Sequence, residues 1–475
     1  MKTVNNILPS LLLIAVLIMQ SCNNDDDNPP IVTNNIIEIA IKTPELTFFV
    51  DALKKADGNL IDILTSNGPF TVLAPNNAAF TAFLSSNNYA SIDDVPSDVL
   101  SELLLNHVIS EDLTSSDFSI SGSGYKSTNA SGVSDNKISI YFNTSGDIEF
   151  NNTSKVINGG ADINASNGTI HIVDKVITLP SILNHLANNN NFNSLLVALD
   201  LADGDLTTLL GSDGPFTIMA PDNAAFTTFL DGTPIGDINT AHLAKVLLNH
   251  VLGNVTTSAN LMTNGSGYTN TSATGPGMKA LSLYYNTSAN ISFNGISTVT
   301  TADIVGTNGV IHAVNAVIGI PTVTTFVTAD PNFATLEEAL TTLTPGIDFA
   351  AILSRIEGSN ADGIDPEFTV FAPDNDAFSD LSEIPEETVL IQTILHHIID
   401  ESNMTSGDLT PGGNTIVTTL EGDDITITLP GTDTNIGDIT DGSGNGGIGI
   451  TAVDIQAGNG VVHILDTVLI PDTKN

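Results

Sequence analysis

One cysteine, no tryptophan and 12 basic residues against 54 acidic ones are what this 475-residue chain is short of. Each scarcity excludes something. A single cysteine, Cys22, leaves no disulfide framework, so any domain must be held by its own core. A formal charge of −42 repels phosphate backbones and anionic membrane surfaces, so no nucleic acid is expected as a partner. Aromatic residues make up 5%, which leaves few flat rings for stacking on sugars. The charged fraction is 14%, so Thr, Ser, Asn and Gly supply much of the polar character, which suits a β-rich extracellular surface with long polar loops. No G-x-S-x-G elbow, P-loop, H-E-x-x-H or paired cysteines occur. What the chain does have is 41% apolar residues, enough to build cores and too many for a disordered polymer.

The apolar run Ile7–Met19 follows Lys2 and is too short to span a bilayer. It leads into Met19-Gln20-Ser21-Cys22 and then the acidic NNDDDNPP. This resembles a bacterial lipoprotein signal with Cys22 as the lipidated residue, although Met19 and Gln20 depart from the usual Leu and small residue. The acidic run after it is similar to the surface-export tag of some Gram-negative lipoproteins. The expectation is residues 1–22 as a signal peptide and 23–33 as a tether. The protein would then be lipid-anchored in the outer membrane, exposed at the cell surface, and touch the membrane through its lipid alone.

Three units follow. Phe70–Phe80 reads FTVLAPNNAAF, Phe216–Phe226 reads FTIMAPDNAAF and Phe368–Phe378 reads FTVFAPDNDAF. Each unit closes on an NG-x-x-H segment: NGTIHIVDKVITLP from Asn167, NGVIHAVNAVIGIP from Asn308 and NGVVHILDTVLIP from Asn459. Between the two lies a second histidine, in LLLNHVI, LLNHVL and ILHHII. His107 precedes His171 by 64 residues, His250 precedes His312 by 62, and His397 precedes His463 by 66. An Asp-Ile pair stands five residues before each Asn-Gly: Asp162-Ile163, Asp303-Ile304 and Asp454-Ile455. The first two units also share GSGY, at Gly122–Tyr125 and Gly265–Tyr268, read here as a glycine-rich turn. The third lacks it and carries the Gly/Asp-rich stretch Gly431–Gly447. A period this long is a whole domain, well beyond the roughly 20–50 residues of a solenoid repeat.

Within a unit, Leu46, Phe49, Val50 and Leu53 fall on one helical face, and 192–210 and 333–353 are the matching helical stretches. FTVL is a short strand stopped by Ala-Pro, after which Asn76 or its Asp equivalent caps a helix. Leu100, Leu103, Leu104, His107 and Val108 share a further helical face. Strands at 138–142 and 148–150 lead to the closing NG-x-x-H strand.

These motifs in this order resemble the fasciclin (FAS1) domain family. FTVLAPNNAAF corresponds to its first signature, NGTIHIVDKVITLP to its second, and the helix histidine to its Tyr-His pair, with Asn106, Asn249 and His396 in the tyrosine's place. The resemblance covers about residues 34–475. It implies an α+β fold of three tandem FAS1-like domains, each a wedge of two β-sheets with several short helices, at 34–180, 181–321 and 322–475. It also implies a role in adhesion or surface recognition. The Asp-Ile pairs Asp162, Ile163, Asp303, Ile304, Asp454 and Ile455 occupy the place of an integrin-recognition motif in animal fasciclin proteins. The structural alternative packs Ile into the sheet while Asp caps the turn before Asn-Gly.

An imidazole inside an apolar strand must find partners, because an unpaired buried polar group costs about 1–3 kcal/mol. His107, His171, His250, His312, His397 and His463 are therefore read as structural, with His171 bonded to backbone carbonyls or Asp174. A metal shared by the two histidines of a unit is the rival, but zinc wants three or four ligands. No metal and no cofactor is expected. Asp433, Asp438 and Asp441 fail as an EF-hand, leaving a looser calcium loop or a solvated one. The function expected is a non-enzymatic, surface-anchored adhesion or recognition module whose partners are a cell-surface or matrix protein or a polysaccharide. The alternative is a glycan- or small-ligand-binding accessory lipoprotein of an uptake system, with a pocket in one unit. An enzyme would need a carboxylate–histidine cluster in one unit only, and His396-His397 marks where it would lie.

Overall fold

A computed structural model describes residues 33–472. Cys22, the leader and most of the acidic tether lie outside the described residues. Three sheets follow one another along the chain, of eight, seven and seven strands. In each, the two signatures lie side by side as parallel strands in matched register, near one end of the strand order but central to the unit, between its two cores. Phe70–Pro75 pairs with Gly168–Val173, Phe216–Pro221 with Gly309–Val314, and Phe368–Pro373 with Gly460–Leu465. A short strand (Val108–Ile109, Val251–Leu252, Ile398–Ile399) adds antiparallel on the other side of the first signature. The remaining strands are antiparallel hairpins such as Ser123–Ser131 with Lys137–Asn143.

The central strands are buried on both faces and so feed two cores per unit. Phe70, Val72, Ala74, Ile170 and Ile172 meet the helices, among them Thr47–Lys55, Leu60–Thr65, Asn77–Ser86 and Ser97–Leu105. Leu73 and Val173 face the opposite way, into a second core with Ile140, Phe142 and Phe150. The two-residue period of a strand produces this division, and both other units repeat it. Leu46, Phe49, Val50 and Leu53 are all buried, as their spacing predicts. Asn76 caps Asn77–Ser86, taking the Ala79 amide at 2.8 Å, and Asp222 and Asp374 do the same. The helix before His107 ends at Leu105, so His107 and Val108 lie past it rather than on its face.

Each Asn-Gly stands at the tight entry to the last strand, inside the two-residue turn that joins Ala165 to Gly168 and Ala457 to Gly460 in the first and third units, and its Asn side chain has a second role. Asn167 is buried, and its side chain accepts from the Ile36 amide and donates to the Leu64 and Ser66 carbonyls. Asn308 and Asn459 make the same three bonds. The glycine is there for space: a Cβ on Gly168 would stand 1.9 Å from the Phe70 carbonyl oxygen.

GSGY is the opening of a strand and not a turn, and its tyrosine joins one unit to the next. Tyr125 packs edge-on against His185 and receives the Asn189 side-chain amide at 3.3 Å. Tyr268 packs against Phe326 and donates to Asp330 at 3.0 Å. Ser139 accepts the Val305 amide and Ser282 the Gln456 amide, at 3.0 and 2.9 Å. The two junctions are thus built alike.

Candidate functional site

The six motif histidines fall into two sets with different tasks. His171, His312 and His463 sit in the central strands and point into the second core. Nε2 of His171 bonds the Leu113 carbonyl at 2.9 Å, and Nδ1 receives the Asp162 amide at 3.4 Å. His312 bonds Thr256 and Asp303, and His463 bonds Met404 and Asp454, in the same way. Asp174 is not a partner of His171; it takes the Lys155 amide instead. Burial lowers the pKa of all three imidazoles, outweighing the carbonyl bond that raises it.

His107, His250 and His397 form the second set. Nδ1 of each bonds the carbonyl four residues back, at 2.7–2.8 Å. Nε2 receives the amide of Ile177, Ile318 or Leu469, tying the helix end to the segment after the last strand. Burial pushes each down to about 4, against the raising effect of the carbonyl bond. In both sets both ring nitrogens are occupied by the unit's own backbone, which leaves no lone pair for a metal and no free base.

The Asp of each Asp-Ile pair caps a distant helix, not the nearby turn. Asp162 accepts the Ser115 amide at 2.7 Å and also the Ser115 hydroxyl, at the start of helix Ser115–Ser121. Asp303 does this for Ser258, and Asp454 for Ser406. All three aspartates hold a left-handed φ of 55–63°, a conformation that Asp tolerates better than most residues. Ile304 and Ile455 are buried in the helix-side cores and Ile163 is half-buried against its own. Ser, His and Asp do meet here, but in an order that cannot activate the serine: its hydroxyl donates to Asp, while His donates to a carbonyl.

Sequence reasoning missed the serines, although Thr114-Ser115, Thr257-Ser258 and Thr405-Ser406 recur as a Thr-Ser pair in all three units. It also missed what the third unit gathers around His396. His396, Glu421 and Asp423 are the one group among the described residues close enough to share a metal ion. Nδ1 lies 3.1 Å from the Thr419 hydroxyl and 3.5 Å from Glu421, while Nε2 accepts the Gly442 amide at 3.0 Å. That amide assigns the ring proton to Nδ1. Coordination through Nδ1 would move the proton to Nε2, against the Gly442 N–H, so the donor set does not fit a metal. Burial lowers the pKa of His396, opposed by Glu421, Asp423 and Asp441. Asp438 and Asp441 do not converge as a calcium loop either. Asp438 takes the Thr432 amide and Asn435 side chain, and Asp441 the Asn445 and Ile470 amides.

A cleft of about 980 Å³ lies in the first unit between helices Thr47–Lys55 and Asn77–Ser86 and the segment carrying Tyr89. Phe48 and Tyr89 line it together with Asp51, Lys54, Lys55 and Asp93. Lys54 pairs with Asp51, and Lys55 reaches the Asp93 carbonyl.

The chain is similar in sequence to known proteins. The Fasciclin domain family matches residues 44–180, 190–321 and 338–471. Transforming growth factor-beta-induced protein ig-h3 of Sus scrofa is 26% identical over 447 residues, 92% of this chain. The chain spans 58% of that relative's length. Uncharacterized protein sll1735 of Synechocystis is 31% identical over 145 residues, covering 30% of this chain and 98% of its own. A FAS1 domain pair from the insect cell adhesion molecule Fasciclin I has a TM-score of 0.38 at 18% identity, covering 58% of this chain and 96% of that one.

Proposed function

The chain belongs to the fasciclin domain family, and from that premise we propose that it is a surface-anchored lipoprotein acting as a non-enzymatic adhesion or recognition module. Cys22 carries the lipid, the acidic segment after it directs the protein to the outer face of the outer membrane, and the three units project outward. No helix among the described residues is long and apolar enough to cross a membrane. The observation that carries the reading is the pair of matching junctions, Tyr125 on His185 and Tyr268 on Phe326. They hold three like units in a fixed series, so three weak contacts act together with a high effective concentration. The occupied Ser–Asp–His groups support a non-enzymatic role. Partners are a cell-surface or matrix protein or a polysaccharide.

The test compares intact cells carrying wild type and Cys22→Ala. Wild type is expected to be cut by external protease, to bind antibody, and to make cells adhere to one another or to polysaccharide-coated surfaces. The variant is expected to be released, with adhesion lost. An anchored protein that external protease cannot reach would sink the adhesin reading. A second reading, an accessory lipoprotein that binds glycans or small ligands for uptake, is favoured by the cleft of the first unit.

A further inference from the structure

We propose that the cleft between Phe48 and Tyr89 in the first unit binds an uncharged polysaccharide, or oligosaccharides cut from one. The inference rests on the surface-recognition reading and names its ligand class. The cleft's 980 Å³ lies at the upper end of the roughly 300–1,000 Å³ typical of ligand sites, which is room for several sugar rings. Tyr89 is half-buried and is the one tyrosine of six outside the two hairpins that hold Tyr125, Tyr141, Tyr268, Tyr284 and Tyr285. With Phe48 it offers flat apolar surface to the C–H faces of a pyranose.

The charges around those rings select against ions. Asp51 and Asp93 balance Lys54 and Lys55, so the lining has no net sign, and the −42 of the whole chain disfavours polyanions. Sugar hydroxyls both donate and accept, and so can use carboxylate and ammonium alike. The Lys54–Asp51 pair is largely exposed, at 60% and 57%, so turning either group toward a ligand costs little.

The second unit does not repeat the chemistry of this lining. Ser194, Val197, Asp200 and Leu201 stand in the second unit where Phe48, Asp51, Lys54 and Lys55 stand in the first. The wall helix shortens from ten residues, Asn77–Ser86, to eight in Asn223–Leu230 and five in Asn375–Ser379. A lining that the second unit does not repeat fits a specific ligand, whereas a feature of the shared scaffold would recur.

The test is affinity electrophoresis of the purified full chain through gels containing dextran, laminarin, xylan or pullulan, with alginate as the acidic control. At least one neutral polysaccharide should retard the chain while alginate does not. Tyr89→Ala, and Phe48→Ser, which installs the second unit's residue, should each weaken retention tenfold or more while circular dichroism shows the chain still folded at the assay temperature, both rings also packing on the first unit's core. Tyr89→Phe should retain it. Retention by none of the four neutral polymers, or retention unchanged in both Phe48→Ser and Tyr89→Ala, would overturn the cleft. Adhesion of intact cells unchanged in those variants, together with lost retention, would uphold the cleft while separating it from the adhesive faces.

Discussion

The carboxylate of Asp162 accepts both the amide and the hydroxyl of Ser115, 47 residues earlier in the chain. Those bonds outweigh the effect of burial, which alone would raise the carboxyl, and hold it below the usual range. The amide of the same residue bonds His171, which bonds Leu113 in turn. One Asp therefore closes a loop between the start of a helix and the central strand. Asp303→Ala in the second unit should cost about 2 kcal/mol, the worth of a helix cap with a charged partner. Urea unfolding would show it as a lowered midpoint at unchanged slope. A midpoint equal to wild type would mean that the Ser258 bonds contribute nothing.

Much of this fold was legible in the sequence because it is written three times. The spacing of Leu46, Phe49, Val50 and Leu53 marked a helix face, and Asn76 marked its neighbour's cap. That each histidine needs partners was legible, because an imidazole in an apolar strand cannot leave its nitrogens unpaired. Which partners they find was not legible, because Leu113 and Ile177 offer backbone groups and carry no signal in their side chains. Asn167 was legible in part for a related reason: Asn-Gly marks the turn that the chain makes here, but only the fold shows the side chain buried among three backbone groups. GSGY was visible as a motif, but its purpose depends on a neighbouring unit. Counting back three residues from the threonines that bond Asn106, Asn249 and His396, the third unit has Ile416 in the tyrosine's place, 65% exposed.

The buried histidines make stability fall on mild acidification. His107, His185, His250 and His397 are each held near 4 by burial, below the unfolded value of 6.5. Above 6.5 neither state binds the proton and the stability is complete. Between 6.5 and 4 only the unfolded chain binds it, so each group costs about 1.4 kcal/mol per pH unit in the middle of that window. Denaturation at pH 8.5, 7.5, 6.0 and 5.0 should show the midpoint flat across the first step and dropping after it. A flat profile down to 5.0 would mean that the imidazoles protonate in place.

The junction tyrosines predict coupled units. Tyr268→Ala removes an aromatic contact with Phe326 and a bond to Asp330, which together are worth about 2–4 kcal/mol of coupling. Calorimetry of the variant should resolve the third unit as a separate transition, and small-angle scattering should show a broader range of end-to-end distances. Tyr268→Phe keeps the ring and should lie between the two. If Tyr268→Ala melts and scatters as wild type, the series is held by the Ser282–Gln456 contact and the rest of the interface.

In the first and third units the closest backbone approach at a glycine is where the two signatures touch, and it sets the most severe prediction. A Cβ on Gly168 would meet the Phe70 carbonyl oxygen at 1.9 Å, and φ there is 146°. Gly460 repeats this against Phe368 at 2.1 Å, whereas Gly309 faces Phe216 at 2.6 Å with no left-handed φ. The atoms in the way are backbone, so neither strand can yield without breaking the parallel pair. Gly168→Ala and Gly460→Ala should therefore unfold their units outright, beyond the roughly 4–5 kcal/mol that marks exceptional substitutions. Gly309→Ala should be milder. Amide exchange would localise the damage: loss of protection in Phe70–Pro75 and Gly168–Val173, with the central strands of the third unit still protected, is expected for Gly168→Ala. Equal severity at all three glycines would mean that loss of glycine, and not the approach distance, controls the outcome.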